Sequence, residues 1–351
     1  MVTKEYKIDQ ENIDFSLMKE AADILRNGGL IAFPTETVYG LGANALDEDA
    51  ASKIYRAKGR PSDNPLIVHI ANKQDVEKLA INIPDKARLL MDQFWPGPLT
   101  IIFNKSSLVP YGVTGHLETV GIRMPNHKIA LALIQESGCP IAAPSANTST
   151  RPSPTKASHV IEDLAGRIDG VVDGGDVNIG IESTIIDVTS EIPTILRPGY
   201  ITKGQMEAVI GAINIDKALL DYKGTADMVA KAPGMKYKHY APKGEMLIVE
   251  GDQDKVVAKI NELATTMVEQ GNKVGVIATD ETKGKYINGV VISLGQREDE
   301  LSISKHLFET LRKMDTLEID YIFSEGFSSE NVGQAIMNRL LKAAGHNIMN
   351  I

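Results

Sequence analysis

Several residue types are scarce in this chain of 351 residues, and each scarcity excludes a class of protein. The single cysteine, Cys139, cannot form an internal disulfide, which fits a reducing compartment, and we expect it to be a buried residue and not a reactive thiol. Basic residues are outnumbered, and the net charge of −9 argues against a general nucleic-acid coat, because neutralising phosphates requires an excess of Lys and Arg. A local basic patch is compatible with that charge.

Long apolar runs are also missing, and none approaches the roughly 20 residues that cross a bilayer. Residues 1–15 are polar and mixed in charge, without the basic start and apolar middle of a secretory signal. We therefore expect no membrane association and a cytoplasmic location.

Three familiar sequence signatures fail or are weak. No Gly-x-x-x-x-Gly-Lys-Ser/Thr run occurs, which excludes a P-loop, and neither His-Glu-x-x-His nor a Cys/His cluster suggests zinc. Residues 40–45 (GLGANA) match the looser dinucleotide pattern, but they follow residues 34–37 (PTET) and do not connect a strand directly to a helix. We interpret these glycines as tight turns.

The chain divides into two regions of regular alternation separated by an irregular one. Residues 1–210 predict a mixed α/β domain, residues 211–243 a linker rich in Lys, Gly, Pro and Tyr, and residues 244–351 a small Rossmann-like parallel-sheet domain. Near the start of the first domain, apolar residues recur at helical spacing up to Gly28, where we expect the helix to end. The strands predicted for the first domain are 30–33, 66–70, 99–103, 120–123, 141–143, 183–187 and 194–197. Those predicted for the second are 246–249, 274–278, 290–294 and 321–324, with helices at 255–270, 304–314 and 334–344.

A run of positive charge offers a candidate anion site. It consists of Lys53, Arg56, Lys58 and Arg60, with no acid until Asp63. Two interpretations are equally good. The run is either a solvated helix end favoured by the helix dipole, or a site at which Lys58 and Arg60 bind a polyphosphate at the end of the helix.

Polar residues also follow several predicted strands. Ser145 and Asn147 come directly after strand 141–143, in a position where ligands of α/β sheets usually lie. Ser183 lies at the start of one predicted strand and Arg197 closes the next, so hydroxyls and a guanidinium could hold an amino acid and a phosphate. Plain turns and a hairpin rim would explain each of them without a ligand.

Taken together, these residues belong to a series of short sequence motifs, called words below. In these words the sequence resembles the threonylcarbamoyl-AMP synthases, whose catalytic unit is the YrdC-like domain. The words are 34–41 (PTETVYGL), 58–61 (KGRP), 64–66 (NPL), 95–100 (WPGPLT), 121–125 (GIRMP), 144–147 (PSAN), 182–184 (EST) and 197–199 (RPG). They run in the family's order across residues 10–210. Residues 232–242 (APGMKYKHYAP) resemble the linker of the long branch, which carries a C-terminal domain.

The resemblance implies a twisted α/β sheet whose concave face holds ATP and threonine. Residues implied to bind ATP are Lys58, Arg60, Thr119, Ser145, Asn147, Ser153, Arg197, His239 and Tyr240, of which Lys58 and Arg60 would be catalytic. Residues implied to surround L-threonine are Thr35, His69, Arg123, Ala143 and Ser183. His239 and Tyr240, in the segment that begins at Tyr237, would cover the pocket. Thr150 departs from the family, which commonly has glycine there, and this affects the assignment of Ser153.

The implied reaction joins L-threonine, bicarbonate and ATP to give threonylcarbamoyl-AMP and pyrophosphate, for threonylcarbamoyladenosine in tRNA. Mg²⁺ would enter on the ATP phosphates, without protein ligands, and the product would pass to the tRNA threonylcarbamoyl transfer machinery, with weak tRNA binding as a further expectation. His69 would form a hydrogen-bonding wall or transfer a proton. Two alternatives stay open: an RNA-binding module without turnover, and an adenylating enzyme for another amino acid.

Overall fold

The computed structural model describes residues 2–220, 230–233, 235 and 239–351, except for the side chains of residues 218 and 220. The described residues form two compact units. The first contains those of 1–149, 153–178 and 182–237, and the second those of 150–152, 179–181 and 238–351. Among the described residues no helix has the length and apolar character needed to cross a membrane.

The strands and helices alternate through most of the chain. The strands are β1 (Lys4–Lys7), β2 (Ile31–Phe33), β3 (Gly40–Asn44), β4 (Ile67–His69), β5 (Ala80–Ile81), β6 (Leu99–Lys105), β7 (Thr119–Arg123), β8 (Ile141–Ala143), β9 (Gly170–Asp173), β10 (Thr184–Asp187), β11 (Thr194–Arg197), β12 (Asn214–Ile215), β13 (Glu245–Glu250), β14 (Val274–Ala278), β15 (Val290–Ser293), β16 (Tyr321–Glu325) and β17 (Ile348–Asn350). The α-helices are α1 (Phe15–Arg26), α2 (Glu48–Lys58), α3 (Val76–Leu79), α4 (Asp85–Phe94), α5 (Tyr111–Thr114), α6 (Lys128–Ser137), α7 (Ala157–Leu164), α8 (Lys203–Ile210), α9 (Lys217–Leu220), α10 (Gln253–Glu269), α11 (Glu300–Thr316) and α12 (Gly333–Ala343).

The first unit is built on one large mixed sheet. Its strand order is β1-β9-β2-β3-β8-β4-β7-β6-β10-β11-β12, with β5 paired to β6. β4 and β7 run parallel, whereas β8 runs antiparallel to β4, so the carboxyl end of β8 lies beside the amino ends of β4 and β7. Helices α1 and α6 pack together on an apolar cluster that includes Met18, Leu25 and Leu133. This confirms the predicted twisted α/β architecture.

The second unit contains a five-stranded sheet in which every pair is parallel, in the order β15-β14-β16-β13-β17. Helix α10 begins after Asp252 and α11 after Asp299, and each of these aspartates accepts a hydrogen bond from a backbone amide of the first turn. The predicted Rossmann-like parallel sheet is confirmed. The predicted domain boundaries at residues 210 and 244 stay predictions.

Two expectations need correction. Gly40 and Gly42 lie in strand β3, not in tight turns. A Cβ on Gly42 would lie 2.7 Å from a methyl carbon of Ile141 and 2.9 Å from the ring of Phe33, so close packing explains this glycine. Cys139 is only half-buried, although burial is still sufficient to raise the pKa of its thiol.

Candidate functional site

Lys58 is the last residue of helix α2 and is buried, with 3% of its surface exposed. The helix ends there because Gly59 adopts the left-handed conformation, at φ 63°. The Lys58 ammonium donates hydrogen bonds to the backbone carbonyls of Ser145 and Asn147. In contrast, Lys53 and Arg56 on the same helix are exposed. The positive run therefore divides into a solvated part and a buried part.

The loop after β8 is held to the loop before β3. Gly40 and Ser145 form an isolated antiparallel bridge, and the amide of Ala146 donates to the carbonyl of Tyr39 at 2.8 Å. The Ser145 hydroxyl donates to the Asn147 side-chain oxygen at 2.6 Å. Three residues predicted to bind ATP, Lys58, Ser145 and Asn147, are thus in direct contact.

Arg60 and Thr119 lie near the same end of the sheet. The Arg60 guanidinium donates to the carbonyls of Asn64 at 3.3 Å and Pro65 at 3.0 Å, just before β4. Because β4 and β7 are parallel with Ile67 opposite Gly121, the residues before β4 lie beside the start of β7 at Thr119. Thr119 is separated from Arg123, at the other end of β7, by roughly 13 Å of strand.

Ser153 and Arg197 each contact a buried neighbour in the first unit. The Ser153 hydroxyl donates to a carboxylate oxygen of Glu182 at 2.5 Å. Arg197 donates to the carbonyl of Ser183 at 3.0 Å and to its hydroxyl at 3.1 Å, and that hydroxyl also lies 2.8 Å from the hydroxyl of Thr100. Arg197 and Ser183, predicted for different ligands, therefore share one hydrogen-bonded group.

Four of the five residues predicted to surround threonine, all except Ser183, form a second buried group. The loop between β2 and β3 contacts β7, because the Arg123 guanidinium on β7 donates to the Thr37 hydroxyl at 3.0 Å. Thr35 lies 2.8 Å from that hydroxyl. His69 and Arg123 are direct neighbours across β4 and β7, and Ala143 on β8 faces Ile67.

His69 is buried, and that burial, followed by the nearby charge of Arg123, lowers its pKa to about 3. The imidazole is therefore neutral at pH 7, and its Nδ1 lies 3.1 Å from the carbonyl of Ile67. A ring in this state can line a pocket and hydrogen-bond, but it carries no proton to give as an imidazolium.

His239 and Tyr240 belong to the second unit. The Tyr240 ring stacks on Phe308 with centroids 5.0 Å apart, and the His239 ring lies 5.4 Å from Tyr240. Their role as a cover for the pocket stays a prediction, and Tyr237 lies outside the described residues.

Three polar residues beside these sites were not assigned a role from the sequence: Glu36, Thr37 and Glu182. Glu36 is 6% exposed and pairs with Arg123, with 2.8 Å between a carboxylate oxygen and a guanidinium nitrogen. Each of the three occurs inside a word quoted above for the resemblance. For Glu36 and Glu182 the sequence did offer a signal, namely an acid next to a predicted buried strand, because a buried carboxylate requires a partner.

No group of three or more His, Cys, Asp or Glu residues in the described part of the chain is arranged to hold a metal ion.

Comparison with known proteins accounts for both units. Residues 23–199 match the family described as "Telomere recombination", and residues 201–345 match "Threonylcarbamoyl-AMP synthase, C-terminal domain". The chain is 51% identical to a threonylcarbamoyl-AMP synthase of Pyrococcus abyssi over 97% of this chain and 98% of the relative. It is also 51% identical to that of Bacillus subtilis, covering 94% and 93%. A crystal structure of P. abyssi Sua5 complexed with L-threonine superposes with a TM-score of 0.94 at 50% identity, covering 99% and 100% of the two chains.

Proposed function

Because this chain belongs to the threonylcarbamoyl-AMP synthase family, we propose that it makes threonylcarbamoyl-AMP from L-threonine, bicarbonate and ATP, with release of pyrophosphate. Members of the family form an AMP-linked intermediate, and the chain is accordingly a nucleotidyltransferase of tRNA modification. The adenylate would then supply the enzymes that transfer the threonylcarbamoyl group to tRNA.

One observation carries the assignment of the phosphate site: the buried ammonium of Lys58 in contact with the loop of Ser145 and Asn147. The low dielectric of a buried site strengthens the attraction between this ammonium and an anionic ligand. Arg60 adds a second cation at the same end of the sheet. ATP is a ligand with the complementary charge.

The second buried group supports an adjacent amino-acid site. Thr35 and Arg123, joined through Thr37, offer hydroxyls and a guanidinium of the kind that bind a carboxylate and a side-chain hydroxyl. Threonine converted to its carbamate would attack the α-phosphorus of ATP through a carbamate oxygen, and the bond from that phosphorus to the pyrophosphate would break. Holding the two reactants in line can lower the barrier by about 7 kcal/mol or more. Mg²⁺ enters as part of the ATP substrate.

Pyrophosphate release tests the proposal. We expect release from ATP and Mg²⁺ to require both bicarbonate and L-threonine when amino acids are supplied one at a time. Lys58→Ala should reduce it by about 100-fold or more, because the cation at the phosphates is lost. The matched control is Lys53→Ala, an exposed lysine of the same helix, which should keep the wild-type rate.

Other outcomes favour the alternatives. Release that requires a different amino acid would identify an adenylating enzyme of other specificity, since one methyl group changes selectivity by only about 10- to 200-fold. No release with any amino acid, combined with salt-dependent binding of RNA, would overturn the synthase and favour an RNA-binding module.

A further inference from the structure

A cavity of about 300 Å³ lies in the second unit, at the carboxyl ends of the adjacent parallel strands β13 and β16. It is lined by residues 249–251 and 325–327, by Arg297, and by Gln253 and Val256 of helix α10. None of these residues is assigned above to ATP or threonine. The volume falls at the lower end of the range that small-molecule sites provide.

The topology of the five-stranded sheet explains why a cavity forms there. The connection from β13 through α10 leads to β14, and the connection from β16 through α12 leads to β17, in the opposite direction across the sheet. Because crossovers between parallel strands are right-handed, the two helices lie on opposite faces. The loops after β13 and β16 therefore diverge and leave a crevice, which is where open α/β sheets bind their ligands.

Arg297 brings an unused hydrogen-bond donor to this crevice. Its Nη1 donates to the carbonyl of Gly326 at 3.0 Å, its Nη2 pairs with Glu325, and its guanidinium lies 5.5 Å from the centre of the Phe327 ring. The Nε of Arg297 is buried and has no hydrogen-bond partner among the described residues. A buried N–H without an acceptor is unfavourable, so a ligand atom that accepts from it would be stabilised.

Glu250 brings an unused acceptor. It is the last residue of β13 and is half-buried, and no residue in the described part of the chain donates a hydrogen bond to its carboxylate. A Cβ on Gly326 would lie 3.3 Å from Cβ and Cγ of Glu250, so the glycine after β16 leaves the space that this side chain occupies. The carboxylate thus lines the crevice with both of its oxygens available.

The charges and the walls of the crevice limit the ligand. Glu325 offsets Arg297, so Glu250 makes the local charge negative, which disfavours a phosphate. Hydroxyl groups suit Glu250, because neighbouring hydroxyls can both donate to one carboxylate. The remaining walls include Val249, Val256 and Phe327, which are apolar and suit a planar ring.

We propose that this crevice binds an uncharged ribonucleoside. The ribose hydroxyls donate to Glu250, the base packs against the apolar walls, and the Nε of Arg297 donates to an acceptor of the same ligand. The second unit therefore carries a ligand site of its own, in addition to the site of the proposed synthase.

Peptide-resolved hydrogen exchange of the full-length chain tests the inference, with adenosine as the probe. Adenosine should slow exchange in residues 249–256 and 325–328 by at least about twofold at saturation, because a ligand opposes the openings that allow exchange. Adenosine can also enter the candidate ATP site of the first unit, and peptide resolution separates the two sites. Titration of the protection in residues 249–256 gives the Kd of the crevice.

The comparison of ligands isolates the ribose contact. In wild type, 2′-deoxyadenosine should bind the crevice about tenfold more weakly than adenosine, because one hydroxyl bonded to a carboxylate is lost. AMP should bind no more tightly than adenosine, because its phosphate meets the negative charge of Glu250. Glu250→Gln should weaken adenosine by about tenfold and 2′-deoxyadenosine by less, whereas a merely structural role of Glu250 would weaken both ligands alike.

The matched control is Glu245→Gln, at the exposed first residue of the same strand, which should leave both affinities unchanged. Three results would overturn the inference: no adenosine-dependent protection in residues 249–256 and 325–328, equal affinity of wild type for adenosine and 2′-deoxyadenosine, or tighter binding of AMP, which would indicate a phosphate site. Because none of these measurements uses pyrophosphate release, the inference stands or falls separately from the proposed function.

Discussion

At the scale of single residues, Thr150 occupies a backbone conformation that suits glycine. Its φ is 78°, in the left-handed region, where a β-branched side chain is strained. The surrounding contacts hold it there: the Thr150 carbonyl accepts from the amide of Ala241, and the carbonyl of Pro152 accepts from Arg312 at 2.7 Å. The departure from the family glycine is therefore tolerated by contacts made within the second unit.

We predict that Thr150→Gly raises the free energy of unfolding by about 0.5–1 kcal/mol, because removing the Cβ relieves that strain. Urea denaturation followed by circular dichroism measures it. Thr148→Gly is the control, since Thr148 does not have a positive φ, and it should not stabilise the chain. A loss of stability in Thr150→Gly would show that contacts of the Thr150 side chain outweigh the strain.

Buried charge is a second feature that depends on individual residues. Lys58 and Glu36 are both buried and belong to the same unit. Lys58 donates to two carbonyls, whereas Glu36 pairs with Arg123 and accepts no hydrogen bond from the described residues. Desolvation makes each buried charge unfavourable. A ligand that brings the opposite charge recovers that free energy, which is why such residues point to binding.

At the scale of elements, the carboxyl end of α2 sets the positions of Lys58 and Arg60. Gly59 turns the chain out of the helix with φ 63°, and a Cβ there would meet no atom within 4 Å. A substitution at Gly59 is therefore a test of backbone conformation alone. Gly138, which ends α6 with φ 68° and equally open surroundings, provides the same geometry away from the candidate site.

We predict that Gly59→Ala and Gly138→Ala each lower the free energy of unfolding by about 1 kcal/mol, the cost of a left-handed alanine. Gly59→Ala alone should raise the KM for ATP, because it displaces Lys58 and Arg60. Denaturation curves and pyrophosphate assays of both variants separate the two effects. An equal change of KM in Gly138→Ala would attribute the effect to stability.

At the scale of the whole molecule, each unit has its own polar network as well as its own apolar core. In the second unit, Glu325 at the end of β16 joins Thr282, Tyr286 and Arg297. Burial and the bond to Glu325 raise the pKa of Tyr286, which keeps the phenol protonated as a donor. This network fixes the loops at the carboxyl ends of β14 and β16.

We predict that Glu325→Ala destabilises the second unit by about 1–3 kcal/mol, because the buried hydroxyls of Thr282 and Tyr286 lose their acceptor. Hydrogen exchange should accelerate in β13, β14 and β16 while the strands of the first unit keep their protection. Glu318→Ala, which removes an exposed partner of Lys273 in the same unit, is the control and should change little. Equal loss of protection in both units would contradict a locally held network.

The sequence alone determined the architecture and the identity of many site residues. Alternation of apolar residues located the seven strands predicted for the first domain to within two residues of β2, β4, β6, β7, β8, β10 and β11, since burial imposes a period that is local in the chain. The family words contained Lys58, Ser145, Asn147, Thr35 and Arg123, because each word is a short run of adjacent residues. Strand β3 was not predicted, because its glycines resemble a turn when their packing partners are unknown.

Only the tertiary structure decided which of these residues touch. The contacts of Lys58 with Asn147, and of Arg123 with Glu36 and Thr37, join residues more than 80 positions apart, and no local pattern encodes such pairs. Hydrogen-bond geometry also separates Glu325, a carboxylate supplied with donors, from Glu36, a carboxylate to which no described residue donates. Both are glutamates near apolar strands in the sequence, and their difference arises from which side chains the fold brings within hydrogen-bond distance.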